Sequence, residues 1–163
     1  MEAPFSVRLE VSGRTVELTG TVDRLQLADG RLRVLDLKTG RKLLRARDVV
    51  DHPQLGVYQL AASLGAFEEY APGVRCVAPP ALLMLRHGDQ WPELVEQPSI
   101  DEKPLLDDED PGDHPTWVHA RLAQAVETIV SERFPATECQ ACAYCPFADS
   151  CPALHPSGKE VGA

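Results

Sequence analysis

Hydrophobic and polar residues alternate along the first part of the chain, with the period of two that is typical of β-strands. The first alternating run has its apolar positions at Phe5, Val7, Leu9 and Val11. Ser12-Gly13 predicts a turn into a second run from Val16 to Leu27, and a third run follows from Leu32 to Leu37. The pattern predicts an antiparallel meander of strands with one apolar face and one polar face.

The polar face of this meander brings acidic residues together. Asp29-Gly30 is a favoured pair for a two-residue type I′ turn, and a register counted outward from it places Asp23 opposite Asp36. Lys38 is two residues further on and shares that face. Opposed carboxylates repel each other, and Mg²⁺ is a natural cation to neutralise them because it prefers oxygen ligands. Alternatively, these charged residues form an ordinary solvent-exposed face of the strands and bind no metal.

Helical periodicity replaces the alternation after Thr39-Gly40. A helix is predicted from about Asp48 to Tyr70, with Pro53 in its first turn, and Val57, Leu60, Ala61, Leu64 and Phe67 form its apolar stripe. Gln54 and Tyr58 are four residues apart and share one helix face, so they can present an amide and a phenol to the carboxylates. Alternatively, Gln54 and Tyr58 lie at an ordinary helix edge, where the tyrosine is half-buried and has no functional role.

The rest of the chain completes one predicted domain over residues 1–154. Residues 74–77 and 81–85 predict further strands, so that residues 5–95 form a core of sheet and helix. Residues 96–115 are acidic and proline-bearing and predict an exposed loop. Residues 116–154 contain a second amphipathic helix, from Trp117 to Phe134, with Val118, Leu122, Ala125, Val126 and Ile129 on its apolar face. Residues 155–163 are predicted to be a disordered tail.

Composition restricts the possible functions. The chain has 163 residues, 44% of them hydrophobic, with a formal net charge of −9. No apolar run is long enough to cross a membrane, and no secretory signal follows Met1, so a cytoplasmic protein without a membrane partner is expected. The net charge argues against a surface that coats nucleic acid generally, but a local basic groove is compatible with Arg41, Lys42, Arg45 and Arg47. These four residues also suit the solvated start of a helix.

The cysteines near the C-terminus form a short pattern. Cys139, Cys142, Cys145 and Cys151 follow the spacing C-x2-C-x2-C-x5-C-P. Closely spaced thiols without a secretory context favour metal binding over disulfides. The run is similar to ferredoxin-type patterns, which favours an iron–sulfur cluster over zinc.

Together these motifs resemble the RecB-type nucleases of the PD-(D/E)xK superfamily. The resemblance covers about residues 5–154 and is closest to the iron–sulfur branch, represented by AddB-type helicase–nucleases and actinobacterial relatives. The residues that carry it are Gly20-x-x-Asp23, Asp36-Leu37-Lys38-Thr39-Gly40, Gln54-x-x-x-Tyr58 and Cys142-x2-Cys145-x5-Cys151. It implies an α/β, restriction-endonuclease-like fold: a central mixed sheet begun by an antiparallel hairpin meander, flanked by helices, with a cysteine-rich C-terminal tail.

The resemblance also implies roles for individual residues. Asp23 and Asp36 would bind Mg²⁺ or Mn²⁺, together with the backbone carbonyl of Leu37. Lys38 would be the catalytic lysine, positioned with the DNA by Gln54 and Tyr58. The expected reaction is hydrolysis of DNA phosphodiesters, as an exonuclease acting on single strands beside a helicase motor in recombination and repair. The four tail cysteines, Cys139, Cys142, Cys145 and Cys151, would bind a 4Fe-4S cluster, with zinc as the alternative.

Two departures from the family pattern leave a second hypothesis open. The family's first cluster cysteine usually lies upstream of the first strand, so Cys139 either takes that role here or is an accessory thiol. The family has a metal-binding histidine upstream of the first strand, whereas no histidine precedes His52 in this chain. The chain is therefore expected to be the C-terminal piece of a longer protein or a trimmed relative. The alternative function is a catalytically idle domain, stapled by iron–sulfur or zinc, that binds DNA or docks a partner.

Overall fold

Two β-hairpins begin the chain, and both turn through residues with positive φ. The first joins strands β1 (Ala3–Val11) and β2 (Arg14–Val22) through Ser12 and Gly13, at φ 51° and 72°. The second joins β3 (Arg24–Ala28) and β4 (Arg31–Lys38) through Asp29 and Gly30, at φ 52° and 71°. Two successive positive φ values define the type I′ turn, whose twist matches that of the flanking strands. Both predicted turns are confirmed in this computed structural model, which describes residues 2–74, 76–87, 92–106 and 114–154.

The predicted run from Val16 to Leu27 forms two strands rather than one. The chain bends at Asp23, so that β2 pairs only with β1 in a two-stranded sheet while β3 begins a second sheet. Phe5 packs closely over the end of this first hairpin, since a Cβ atom on Gly20 would lie 2.9 Å from the Phe5 ring. The absence of a side chain at Gly20 therefore permits the aromatic ring to cover the strand just before it bends.

The second sheet has β4 at its centre. Its order is β3-β4-β6-β7, with β5 also paired to β4, where β5 is Cys76–Val77, β6 is Ala81–Met84 and β7 is Glu93–Glu96. The β3–β4 and β6–β7 pairs are antiparallel, and β4 is parallel to β5 and β6. This mixed sheet, begun by an antiparallel hairpin and flanked by helices, is the predicted restriction-endonuclease-like architecture.

Helix α1 (Pro53–Ser63) begins within the predicted range but ends well before Tyr70. Residues 64–70 are turns, and Gly65 has a positive φ of 83°, which a right-handed helix cannot continue through. Phe67 is nevertheless buried, with 1% of its surface exposed, because the turns fold it back onto the core.

Helix α1 is also buried around most of its circumference rather than along a single stripe. Leu55, Tyr58 and Ala61 belong to the core cluster that includes the sheet residues Val34 and Leu82. On the other side, Leu60 packs with Ile100, Trp117 and Val118. Gly56 permits this second contact, since a Cβ atom there would lie 2.5 Å from the Trp117 ring.

The segment after β7 differs from the exposed loop predicted for residues 96–115. Glu96 is the last residue of β7, and Gln97, Ser99 and Ile100 are buried. Residues 107–113, which contain the most acidic part of that predicted loop, lie outside the described residues, as does the predicted tail at 155–163.

Backbone contacts divide the chain into two compact units, residues 1–124 and 125–163. Helix α2 (Trp117–Val130) spans the division, and Glu132, with φ 54°, follows its end. The helix is therefore shorter than the predicted range to Phe134, and Ile129, predicted for its apolar face, has 64% of its surface exposed.

The remainder of the second unit, as far as the structure describes it, contains two short 3₁₀ turns, Gln140–Tyr144 and Ala148–Ser150, which carry the cysteine-rich tail. No helix in the described part of the chain has the length and apolar character to span a membrane.

Candidate active site

An ion pair on the central strand is the starting point of the candidate site. Asp36 and Lys38 alternate along β4 and therefore project from the same face of the sheet. Lys38 Nζ lies 2.7 Å from Asp36 Oδ2, and the side chains of Lys38 and Asp36 are 32% and 5% exposed. A nearly buried carboxylate is thus paired with a lysine that reaches solvent.

Gln54, in the first turn of α1, joins both members of this pair. Its Nε2 donates to Asp36 Oδ1 over 2.8 Å, and its Oε1 accepts from Lys38 Nζ over 3.1 Å. The amide has one orientation consistent with these partners. A flipped amide would place its oxygen against a carboxylate and its NH₂ group against an ammonium.

Tyr58 is one helical turn further along α1 and accepts a hydrogen bond from the second N–H of the Gln54 amide. Its hydroxyl accepts from Gln54 Nε2 over 2.9 Å and donates to the carbonyl oxygen of Thr21 over 3.1 Å. Thr21 lies near the end of β2, so the network connects α1 to both hairpins. Tyr58 is buried, rather than half-buried as the alternative interpretation of this helix face supposed.

Asp23 occupies the bend between β2 and β3 and approaches β4 differently from the prediction. The last residue pair of the β3–β4 ladder is Arg24 with Leu35, so Asp23 lies just beyond the paired strands. Its Oδ2 accepts a hydrogen bond of 2.7 Å from the backbone N–H of Leu37. The register counted from the turn is correct as far as the ladder extends, but Asp23 contacts the β4 backbone between Asp36 and Lys38.

The structure therefore brings four of the predicted residues into one network and places the fifth at its border. Asp36, Lys38 and Gln54 contact one another directly, Tyr58 joins them through Gln54, and Asp23 reaches them through the Leu37 peptide. The predicted cysteines belong to the second compact unit.

His52 is a neighbour of the site and was not among the predicted site residues. It precedes α1 as its N-cap residue, and the pKa of its imidazole is lowered by burial and then by the positive charge of Lys38. The charges of Asp36 and Asp51 act in the opposite direction. Its Nδ1 atom is buried and has no hydrogen-bond partner among the described residues. The sequence feature that could have identified His52 as a neighbour of the site is its position, two residues before Gln54.

A buried pair of glutamines supports the start of α1 from behind. Gln97 is fully buried, and its Nε2 donates to the carbonyl oxygens of Val49 and His52 over 2.8 and 3.1 Å. Its Oε1 accepts from Gln59 Nε2 over 2.9 Å. These bonds fix the backbone that leads into the turn carrying Gln54. The sequence contains no local signal for this contact, because Gln97 follows an acidic strand and looks like a loop residue.

The oxygen atoms at the site have the chemistry that Mg²⁺ and Mn²⁺ prefer. Two carboxylates, Asp23 and Asp36, flank the Leu37 peptide, whose carbonyl is a further hard oxygen donor. Asp36 Oδ2 is buried and has no partner of hydrogen-bond geometry, its contact being the ion pair with Lys38. The donor set therefore fits a hard cation. In the described part of the chain, however, no three His, Cys, Asp or Glu side chains are grouped to hold a metal ion.

The cysteine tail has free thiols and one close pair. Cys139 and Cys142 have their Sγ atoms 3.9 Å apart, and the Cys139 backbone N–H donates to Cys142 Sγ over 3.2 Å. Cys145 and Cys151 are also free of disulfides. In the described part of the tail, no three of these thiols are grouped so that they could hold a metal ion.

Comparison with known proteins agrees with the fold. The family model described as "PD-(D/E)XK nuclease superfamily" matches residues 1–152 of this chain. Among solved structures, the crystal structure of SSO0001 is similar, with a TM-score of 0.51 at 18% sequence identity over 94% of this chain. This chain covers 59% of the length of that one, and the likeness concerns the fold alone. No curated protein matches the sequence. On the extent of the family match, the chain belongs to the PD-(D/E)XK nuclease superfamily.

Proposed function

We propose that this chain is a metal-dependent deoxyribonuclease domain that hydrolyses phosphodiesters at the Asp36–Lys38–Gln54 site. The observation that carries the proposal is the closed network around Lys38. Its ammonium is held between Asp36 Oδ2 and Gln54 Oε1, at 2.7 and 3.1 Å. An ammonium has three protons, and even with one directed at each of these two oxygens a third is left for a water molecule or a phosphate oxygen.

Each protein group has a separate task in this proposal. Asp23, Asp36 and the Leu37 carbonyl would hold Mg²⁺ or Mn²⁺. When bound, such an ion supplies Lewis-acid activation of water and of the scissile phosphate. Lys38 orients the attacking water or stabilises the negative charge that develops on the phosphate. Gln54 and Tyr58 are positioning residues, since their polar hydrogens are already committed to protein acceptors.

The test of this proposal is cleavage of 5′-labelled oligonucleotides by the purified chain. We expect products with Mn²⁺ or Mg²⁺ and none in EDTA. We also expect single-stranded DNA to be cut faster than duplex DNA, with digestion progressing from an end. Absence of cleavage with either ion, by protein that binds DNA and is folded, would favour the idle-domain alternative. Internal cuts would retain a nuclease but exclude the exonuclease assignment.

The finer assignment to a RecB/AddB-type enzyme is also a proposal. It is supported by the order of motifs, in which Gln54 and Tyr58 follow Lys38 and a cysteine run follows the nuclease motifs. It implies a helicase motor, as a domain or subunit, that delivers single strands in the cytoplasm during recombination and repair. Co-purification of an ATP-dependent DNA-unwinding activity with the tagged chain, expressed in the cells it comes from, would support it. Failure of any ATP-dependent unwinding activity to co-purify with the tagged chain would argue against it.

We further propose that Cys139, Cys142, Cys145 and Cys151 hold a 4Fe-4S cluster that fixes the C-terminal tail. The spacing of the run and the 3.9 Å separation of Cys139 and Cys142 Sγ support thiolate ligation. An anaerobic absorption spectrum with iron, sulfide and zinc analysis distinguishes the cases. A broad brown absorption with iron and sulfide is expected, whereas a colourless sample with one zinc per chain would replace the cluster by a zinc site. Cys145→Ala should lower the melting temperature of the metal-loaded protein, and an unchanged value would contradict the structural role.

A further inference from the structure

The segment between Lys38 and α1 carries a group of exposed cations. Arg41, Lys42, Arg45 and Arg47 are all exposed. Arg47 lies 3.8 Å from Asp48, whereas the other three side chains have no ion pair among the described residues. Other exposed cations, such as Arg14, also have no ion pair among the described residues, so this group is distinguished by the placing of three such cations within five residues directly after Lys38.

Both ends of this segment are fixed at the candidate active site. It leaves β4 directly after Lys38 and returns to α1 just before Gln54, and the side chains of these two residues lie 3.1 Å apart. Its middle is anchored by Leu43 and Leu44, which are partly buried and pack against the core. The leucines therefore hold the segment down while the flanking basic side chains remain outside.

The spacing along the chain places these cations within a short distance of the catalytic lysine. Arg41 is three residues after Lys38, so its Cα lies at most roughly 11 Å away, and its long side chain extends further. A nucleic-acid strand has a phosphate about every 3.4 Å along a duplex axis. Arg41 and Lys42, which follow Lys38 by three and four residues, can therefore reach phosphates a few nucleotides from one that contacts Lys38, and Arg45, seven residues after Lys38, can reach phosphates further along the strand.

We infer that Arg41, Lys42 and Arg45 form a sequence-independent contact surface for the DNA backbone beside the scissile phosphate. The inference rests on the proposed nuclease function and specifies how that site holds its substrate. Arginine and lysine contacts to phosphate release counterions and carry no base information, so the surface should contribute affinity without sequence preference. A protein with an acidic surface is the competing occupant.

The experiment measures binding of the full chain to a fluorescent 20-nucleotide single strand by anisotropy. EDTA is present throughout so that no cleavage occurs, and KCl is varied between 50 and 400 mM. The test variant is Arg41→Ala/Arg45→Ala. The control is Arg8→Ala/Arg14→Ala, which removes the same charge from the first hairpin, where Arg8 lies 3.7 Å from Glu17 and Arg14 has no ion pair among the described residues. Arg8 and Arg14 are exposed there, and Arg14 stands beside the turn, at the end of the hairpin opposite Asp23.

We expect the slope of log K against log[KCl] to become shallower by about 1.4 in the test variant, about 0.7 for each lost phosphate contact. The affinity advantage of the wild type over the test variant should accordingly shrink roughly twenty-fold between 50 and 400 mM KCl. The control variant should keep the wild-type slope. Arg41→Lys/Arg45→Lys should restore most of the slope, because a lysine also neutralises a phosphate.

Several outcomes would overturn the inference. They are an unchanged slope in the test variant, an equal change in the control, no binding by the wild type at 50 mM KCl, and equally tight binding of polyglutamate of the same charge. Cleavage by the wild type with Mn²⁺ is measured separately. No cleavage with the predicted slope change would refute the nuclease and leave the surface standing, whereas cleavage with an unchanged slope would refute only the surface.

Discussion

The side-chain oxygen of Gln54 lies 3.1 Å from Lys38 Nζ, while the nitrogen of the same amide lies 2.8 Å from Asp36 Oδ1. One neutral side chain on a helix thus fixes the relative placement of a lysine and a carboxylate on a strand. Because both partners are charged, these hydrogen bonds are stronger than those between neutral groups. The site therefore depends on how α1 begins as much as on β4.

Removing the Gln54 amide should impair the site without unfolding the domain. In Gln54→Leu, Asp36 Oδ1 and Lys38 lose hydrogen bonds worth about 1.5–3 kcal/mol each. We expect kcat for Mn²⁺-dependent cleavage to fall roughly ten- to a hundred-fold with little change in KM, as for a residue that positions the catalytic group. Gln26→Leu, at an exposed glutamine of β3, is the matched control and should retain full activity. A Gln54→Leu enzyme with wild-type kcat would exclude the positioning role.

The hydroxyl of Tyr58 should contribute mainly to stability. Tyr58→Phe removes the bond to the Thr21 carbonyl and an acceptor for Gln54, and we expect a loss of about 1 kcal/mol in the free energy of unfolding. Tyr70→Phe is the control, because Tyr70 packs against the same core and its hydroxyl has no hydrogen bond within the described residues. Urea denaturation of both variants measures the difference. Equal stabilities would show that the Tyr58 hydroxyl bond contributes nothing.

The turns and the site strand could be predicted from the sequence because their determinants are local. Asp29-Gly30 specifies its turn by backbone conformation, and the alternation on β4 places Asp36 and Lys38 on one face. The four-residue spacing of Gln54 and Tyr58 follows equally from helix geometry. The hydrogen bond from Leu37 to Asp23 was not predictable in this way, because it depends on a strand break that leaves Asp23 outside the ladder.

The support behind the site is non-local, and for that reason it could not be predicted from the sequence. Gln97 donates hydrogen bonds to backbone carbonyls at the start of α1, more than forty residues earlier in the chain. Nothing in the neighbouring sequence distinguishes Gln97 from a loop residue. The length of α1 was overestimated for a related reason. The apolar periodicity continues to Phe67, whereas the positive φ at Gly65 ends the helix.

Gln97 provides a test of this distant support. Gln97→Leu fills a similar volume but removes the donor to the Val49 and His52 carbonyls and the acceptor for Gln59. These carbonyls keep one backbone partner each, so we expect a loss of about 1–3 kcal/mol in the free energy of unfolding. Cleavage should fall in parallel because the turn bearing Gln54 loosens. Unchanged stability by chemical denaturation would contradict the role assigned to Gln97.

His52 should make the folded domain sensitive to mild acid. Burial and the charge of Lys38 lower its pKa in the folded state below the unfolded value of about 6.5, so the unfolded chain binds the proton more readily. Its contribution to stability is therefore fully present above pH 6.5 and is lost as the pH falls below that value.

The melting temperature between pH 7.5 and 5.5 measures this effect. We expect it to decrease less in His52→Gln than in the wild type. His119, whose pKa is also lowered by burial, retains its own acid sensitivity in both proteins. Identical pH dependence in wild type and variant would show that His52 does not titrate in this way.

The most direct test of the account is Mn²⁺-dependent cleavage of a single-stranded oligonucleotide by the wild type and by Lys38→Ala, with Lys103→Ala as the matched lysine control. We expect the wild type and the control to cleave at equal rates. Lys38→Ala, with an unchanged circular dichroism spectrum, should lose at least a hundred-fold in kcat, a typical cost of removing one group that stabilises the transition state. Wild-type cleavage by Lys38→Ala would contradict the assignment of the site.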